Sequence, residues 1–199
     1  MADTLIAPEN EIFPHRKRWT RNEYQELMDG GKLAGRWELI DGEILSKMGQ
    51  KPLHRITLKL ILHWLTLLFG DLYIQTEDPI LIPGEDGDTN EPEPDIAVTL
   101  APTTAYRDRH PLPEDLLLVV EVSDTTLRFD LSAKALLYAR SGIEEYWVID
   151  VVNRRLHMHR MPTPLGYAEV SIHLEEAEVA LLKRPETAVR VSALLPSEE

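Results

Sequence analysis

The sequence contains no cysteine among its 199 residues, which excludes disulfide bonds and thiolate metal sites. It also lacks an apolar run approaching the roughly 18 residues that a membrane-spanning helix needs. Its first residues, MADTLIAPENEIFPHRKRW, do not have the charged-then-apolar order of a signal peptide. These absences predict a cytoplasmic protein that makes no contact with a membrane.

Motifs of three common enzyme classes are also absent. The sequence has no Gly-x-Ser-x-Gly, no Walker loop and no Gly-x-Gly-x-x-Gly. It therefore gives no support to a nucleophile-elbow hydrolase, a nucleoside triphosphatase or a Rossmann cofactor site.

Positive charge is scarce and unevenly placed. The net charge is −13, and residues 71–100 hold nine acidic residues but no Lys or Arg. Such a balance argues against a broad nucleic-acid surface. Basic islands at residues 15–18, 106–110 and 153–160 leave local approach of a polyanion open, although each can also be a solvated face.

The first third of the chain carries clear signals for two helices and a hairpin. Thr20 with Glu23 three residues later predicts a capping box that opens a short helix. The Asp41-Gly42 dipeptide predicts a β-hairpin. Apolar residues at helical spacing predict a helix over residues 52–69, ended by Gly70.

The rest of the chain predicts strands around one more helix. We expect strands over residues 72–83 (bent at Pro79), 95–100 and 116–123, the last apolar on both faces and therefore central. A helix over residues 131–142 should lead by a right-handed crossover into a parallel strand near residues 144–150. Two strands should flank Val152-Asn153. The expected architecture is one α/β domain over residues 1–199, a mixed β-sheet flanked by α-helices, with a loosely ordered arm at 1–18.

Two carboxylates mark the ends of two predicted strands. Glu121 lies near the carboxyl end of an apolar strand, where burial is costly unless a partner neutralises it. Asp95 begins the preceding strand. If these strands are antiparallel neighbours, both side chains reach one point, where Mg²⁺ would relieve their repulsion. The alternative is structural: Asp95 caps a loop and Glu121 forms a salt bridge.

Lys134 is expected on the inner face of the predicted helix 131–142, close to the Glu121 strand end. Asp130, four residues earlier, is either its partner or the helix N-cap. A lysine whose tip reaches solvent is the structural alternative.

Other polar residues give weaker signals. Glu38 either joins the site from the hairpin or faces solvent. His54, at the start of the long helix, faces either the site or solvent, and solvent is favoured. His157 and His159 are interpreted as surface residues.

A set of motifs in this order resembles a known family. The motifs are similar to those of the bacterial Uma family with the suffix two, described as restriction endonucleases. They are spread over residues 20–160, in the order WELIDGEI, a later His, PDIAV, LVVEVSD, D…K…Y and GIEEYWVID. That family is placed in the PD-(D/E)XK nuclease superfamily, so the resemblance implies a restriction-endonuclease-like fold.

The resemblance also implies roles for individual residues. Asp95, Glu121 and the Val122 carbonyl would hold Mg²⁺, with Mn²⁺ as a substitute, and Lys134 would act in catalysis. Ser123 stands where the superfamily has its lysine, which in this family is moved to the helix. Supporting roles are implied for the following residues: Glu38, His54, Ser123, Asp130 and Tyr138.

Two functions follow as hypotheses. The first is a metal-dependent endonuclease that cleaves DNA, as a homodimer by analogy with enzymes that cut both strands. The second is a nuclease-fold protein without turnover that binds nucleic acid or serves a structural purpose. A lysine that points away from both carboxylates would favour the second.

Overall fold

The computed structural model describes residues 16–47, 49 and 51–197. Most of the expected arm at residues 1–18 lies outside the described residues. Helix α1 spans Arg21–Asp29, and Thr20 caps it. The Thr20 hydroxyl accepts from the Glu23 backbone N–H, and the Glu23 carboxylate accepts from the Thr20 N–H. The predicted capping box is therefore confirmed.

The predicted hairpin and long helix are also present. Strands β1 (Trp37–Ile40) and β2 (Glu43–Ser46) pair antiparallel around Asp41 and Gly42. Both turn residues have positive φ, 47° and 76°, as a type I′ turn requires. Helix α2 spans Pro52–Phe69 and ends at Gly70.

Six strands form the central sheet. They are β3 (Ile74–Gln75), β4 (Ile96–Thr99), β5 (Leu116–Ser123), β6 (Glu145–Asp150), β7 (Arg155–Thr163) and β8 (Gly166–Leu174), in that spatial order. Only β5 and β6 are parallel within this sheet, which confirms the predicted parallel pairing of the strands before and after the predicted helix 131–142. A second hairpin joins β9 (Glu178–Leu181) and β10 (Arg184–Arg190).

The predicted strand over residues 72–83 is wrong beyond Gln75. A 3₁₀ turn covers Asp71–Tyr73, and only Ile74 and Gln75 pair with β4. Further on, the backbone N–H groups of Ile80 and Leu81 donate to loop carbonyls of Pro92 and Pro111 instead of to a strand. The apolar run is buried by loop packing, which the alternation pattern does not distinguish from a sheet.

The helix predicted over residues 131–142 begins earlier and is irregular. Helix α3 (Leu127–Phe129), a π-helical segment (Asp130–Lys134) and helix α4 (Ala135–Arg140) follow one another without a break. We call residues 127–140 the crossover helix. The N-cap position is held by Thr126, so the alternative of Asp130 as N-cap is wrong.

The sheet separates two apolar clusters. On one face α2 packs against residues such as Ile96, Val120 and Trp147. On the other, the crossover helix packs against Val119 and Val148. Side chains alternate along β5, so Glu121 points to the same face as Val119, under the crossover helix.

Candidate active site

The site begins where β4 and β5 meet. Ile96 pairs with Val120 in the antiparallel ladder, and continuing this register places Asp95 opposite Glu121. The Val122 backbone N–H donates to Asp95 Oδ2 at 2.7 Å. Both carboxylates are buried, with 6% of Asp95 and 4% of Glu121 exposed. The antiparallel pairing thus brings the two acids together as the sequence predicted.

The side chain of Lys134 points toward the place where β4 and β5 meet. Its Nζ lies 2.8 Å from Glu121 Oε1 and 3.0 Å from Glu38 Oε2. Burial alone would lower the pKa of Lys134, but the charges of Glu121 and Glu38 outweigh it and raise the pKa well above its usual range. The lysine is therefore a buried, charged group, and the alternative of a solvent-reaching tip is wrong.

Glu38 enters the site from the first hairpin. Its side chain is 7% exposed, and its Oε2 accepts from the Glu93 backbone N–H at 3.3 Å. The hairpin is held against the loop before β4 by backbone hydrogen bonds in both directions between Leu39 and Glu91. Glu38 therefore faces the site and not solvent.

The prediction that His54 faces solvent is wrong. His54 stands in the first turn of α2, and its Nε2 lies 3.2 Å from Asp95 Oδ2. Burial alone would raise the pKa of Asp95, yet the hydrogen bonds from His54 and Val122, with the nearby charge of Lys47, lower it. Asp95 is therefore held as a carboxylate.

The pKa of Glu121 is shifted in the opposite direction. Burial raises the pKa of Glu121 to about 8; the charge of Lys134 opposes this, while Asp95 and Asp130 reinforce it. The hydroxyl of Tyr138 donates to the same Oε1 that Lys134 contacts, at 3.1 Å. Three buried acids, Glu121, Glu38 and Asp130, thus act on one buried ammonium.

Asp130 is neither the hydrogen-bond partner of Lys134 nor the helix N-cap. Its Oδ2 accepts from the hydroxyls of Ser123 and Thr126, both at 2.6 Å. Asp130 acts on Lys134 only through its charge. Ser123 and Asp130 therefore fasten the end of β5 to the start of the crossover helix, and Thr126 is a member of this network that sequence reasoning missed.

Comparisons with known proteins identify the family of this chain. The model of the Uma2 family, described as "Putative restriction endonuclease", matches residues 21–191. The chain belongs to the Uma2 family. A search of curated proteins found no match.

Solved structures support the same fold for this Uma2 chain. A crystal structure titled as a putative nuclease belonging to DUF820, from Anabaena variabilis, superposes with a TM-score of 0.65 at 14% identity. The match covers 84% of this chain and 96% of that one. The predicted family and the nuclease-like mixed sheet are therefore confirmed. No helix among the described residues is long and apolar enough to cross a membrane.

The Uma2 site opens into a cavity of ≈ 440 Å³. Three cations line it besides Lys134, and each contacts an acid: Arg36 with Glu77, Lys47 with Glu93, and Lys51 with Asp124. Lys47, which sequence reasoning also missed, donates to the Glu93 carbonyl at 2.5 Å as the chain leaves β2. The positive groups at the rim are therefore each paired with a carboxylate.

The donor set in this Uma2 site fits a hard divalent cation. The hydrogen bonds to Asp95 fall on Oδ2 and those to Glu121 on Oε1, so Asp95 Oδ1 and Glu121 Oε2 accept none from the described residues. Mg²⁺ typically takes one or two protein carboxylates and keeps water for the rest. No group of three or more His, Cys, Asp or Glu placed to bind a metal occurs among the described residues.

The interpretation of His157 and His159 as surface residues is wrong. They are 6% and 4% exposed, and the His159 ring packs 5.3 Å from Tyr146 and 5.5 Å from Tyr167. Burial lowers the pKa of both histidines. They belong to the core beneath the crossover helix and lie apart from the carboxylates.

Proposed function

We propose that this protein is a Mg²⁺-dependent endonuclease that hydrolyses phosphodiester bonds of DNA, with Mn²⁺ as a substitute. The observation that carries the proposal is the meeting of Asp95 and Glu121 in one cavity, with Lys134 2.8 Å from Glu121. Membership of a family described as restriction endonucleases supports a nucleic-acid substrate. Such a substrate would place the protein in the cytoplasm, and cutting both strands would suit a homodimer.

In this proposal Asp95, Glu121 and the Val122 carbonyl hold the metal. A bound Mg²⁺ would supply an activated water and neutralise charge on the phosphate. The protein's own part is preorganisation: His54 and the Val122 N–H fix Asp95, while Tyr138 and Lys134 fix Glu121. Lys134 also brings a permanent positive charge to the place where negative charge develops.

The rim supports a polyanionic substrate. Arg36, Lys47 and Lys51 contact carboxylates that a phosphate backbone can replace as their counter-charge. Exposed Arg55 and Arg128 extend the positive groups outward from α2 and the crossover helix. Binding that uses such contacts weakens steeply with salt.

A second candidate is a nuclease-fold protein that binds nucleic acid, or serves a structural purpose, without turnover. The net charge of −13 favours it, as does the ammonium of Lys134, which already neutralises the carboxylates. Against it stands the orientation of Lys134, since a lysine pointing away from both carboxylates was the sign expected of a degraded site. The first candidate is therefore the conclusion.

The test is cleavage of supercoiled plasmid and of single-stranded DNA with Mg²⁺, Mn²⁺ or EDTA. Wild type should nick or linearise the plasmid with metal and not with EDTA. Asp95→Asn should fall to below about one hundredth of the wild-type rate. Asp88→Asn, in the exposed acidic loop, is the matched control and should leave the rate unchanged.

Two further variants separate binding from chemistry. Glu121→Gln should weaken metal binding, because an amide is a poorer ligand for a hard cation. Lys134→Ala should preserve metal binding and slow cleavage by roughly 10²-fold. A wild type that binds DNA yet never cuts it with either metal would leave the second candidate standing.

A further inference from the structure

The outer edge of β8 differs from the other edge of the sheet. No strand pairs with it in the part of the chain that the structure describes. β8 is nine residues long, GYAEVSIHL, without Pro, Lys or Arg, whereas the opposite edge strand β3 has two residues. Exposed edges are usually short or protected by Lys, Pro or bulges. β8 therefore has the character of an edge that another strand covers.

A stripe of apolar side chains runs along this strand. Val170, Ile172 and Leu174 alternate on one face and are 55%, 55% and 61% exposed. Val170 pairs with His159, whose ring packs on Tyr146, so the stripe is on the face covered by the crossover helix. In a chain of net charge −13, β8 carries a single acid, Glu169. The strand is therefore nearly neutral in a chain whose net charge is strongly negative.

We propose that β8 pairs antiparallel with β8 of a second copy, through a two-fold axis perpendicular to the sheet at Ser171. Such an axis reverses the strand and keeps each face of the sheet continuous. Val170 then lies opposite Ile172 of the second copy, and Ala168 opposite its Leu174. On the other face Glu169 lies opposite His173, so the one acid of the strand meets an imidazole.

Neighbouring registers pair the strand less well. An axis at Ile172 places Glu169 opposite Glu175, and like charges directly opposite each other are destabilising. An axis at Val170 places Leu174 opposite Gly166, which has no side chain to cover it. The Ser171 register pairs every apolar residue of the stripe and avoids the like-charge contact.

The surface goes beyond the proposed function and does not depend on it. The dimer expected by analogy with double-strand cutting does not say which surface is used. The β8 edge is the same whether or not the protein cleaves DNA, so an inactive protein would dimerise in the same way.

A single-cysteine pair tests the register. The natural chain has no cysteine, so Ser171→Cys introduces the only thiol. Cβ atoms of directly opposed residues lie about 5 Å apart, so a small movement of the two strands brings them to the separation that a disulfide bond needs. Oxidation of the full chain should give a cross-linked dimer on a non-reducing gel.

Ala168→Cys is the matched control. In the same register the two residues 168 are offset by six positions, roughly 20 Å along the strands, so this variant should remain uncross-linked. Equal cross-linking of the two variants, or none in either, would overturn the register.

Sedimentation equilibrium tests the surface itself. Wild type should be a dimer, and Ile172→Glu should be a folded monomer by circular dichroism. Leu67→Glu changes a 73%-exposed residue on α2 and should remain a dimer. A monomeric wild type at every concentration, or an Ile172→Glu protein that dimerises like Leu67→Glu, would overturn the proposal.

Discussion

Replacing Lys134 by methionine tests how the site is held together. The change keeps the length of the buried stem and removes the ammonium that lies 2.8 Å from Glu121 and 3.0 Å from Glu38. All three side chains are at most 7% exposed, so two carboxylates lose their common counter-charge in a site shielded from water. Breaking a buried pair in this way costs about 3–5 kcal/mol.

The pH at which this cost appears follows from the pKa of Glu121, which burial raises to about 8. Below about pH 8 Glu121 is protonated in the wild type, and without Lys134 its pKa lies higher still, because the charge of Lys134 opposes the rise. As the pH rises above about 8, the wild-type carboxylate ionises beside its ammonium, whereas in Lys134→Met the same ionisation has no counter-charge. The difference in unfolding free energy between wild type and Lys134→Met should therefore be larger at pH 8.5 than at pH 6.

Urea unfolding followed by tryptophan fluorescence measures this difference. Lys183→Met is the matched control, because Lys183 pairs with Glu144 at the surface, where both side chains are 51% exposed and such a pair is worth at most about 1 kcal/mol. Adding Glu121→Gln to Lys134→Met should cost less than the sum of the two changes. A Lys134→Met protein as stable at pH 8.5 as the Lys183→Met control would refute the reasoning.

Three other outcomes are expected. His54→Asn should lower both metal affinity and cleavage rate by about 10–100-fold, because it releases the Asp95 carboxylate that the imidazole positions. The same change at exposed His63 should have no effect. Asp130→Ala should lower the unfolding free energy by roughly 3 kcal/mol, since it leaves the buried hydroxyl of Ser123 and the hydroxyl of Thr126 without their charged acceptor. Ser132→Ala in the same π-helical segment should change the unfolding free energy little. Burial lowers the pKa of His159 below the usual 6.5, so the unfolded chain binds more protons in acid than the folded protein does. The unfolding free energy of the wild type should therefore fall between pH 6.5 and pH 5, and His159→Phe should reduce this fall.

Local signals in the sequence were sufficient for several elements. The Asp41-Gly42 turn, the capping box at Thr20 and the apolar spacing of α2 each depend on neighbours within a few residues. The meeting of Asp95 and Glu121 was also predictable, because a strand end and a strand start coincide once two strands pair antiparallel. These predictions needed no knowledge of how helices pack on the sheet.

The errors came from packing that local patterns do not encode. His54 reaches Asp95 because α2 begins beside the end of the sheet, and the helix sequence alone does not say where its first turn lies. His157 and His159 look like surface residues by composition, but the crossover helix and Tyr146 cover their face. The π-helical segment Asp130–Lys134 has no sequence signature, although its two end residues were singled out.

The most direct test of the metal site is a crystal soaked in Mn²⁺ and examined by anomalous diffraction. The proposal predicts one strong peak bound by carboxylate oxygens of Asp95 and Glu121, with Lys134 still facing the cavity. It also predicts that the peak disappears in Glu121→Gln crystals while it persists in Asp88→Asn crystals. A peak held by other residues, or none at these carboxylates in crystals of a protein that cuts DNA with Mn²⁺, would contradict the account.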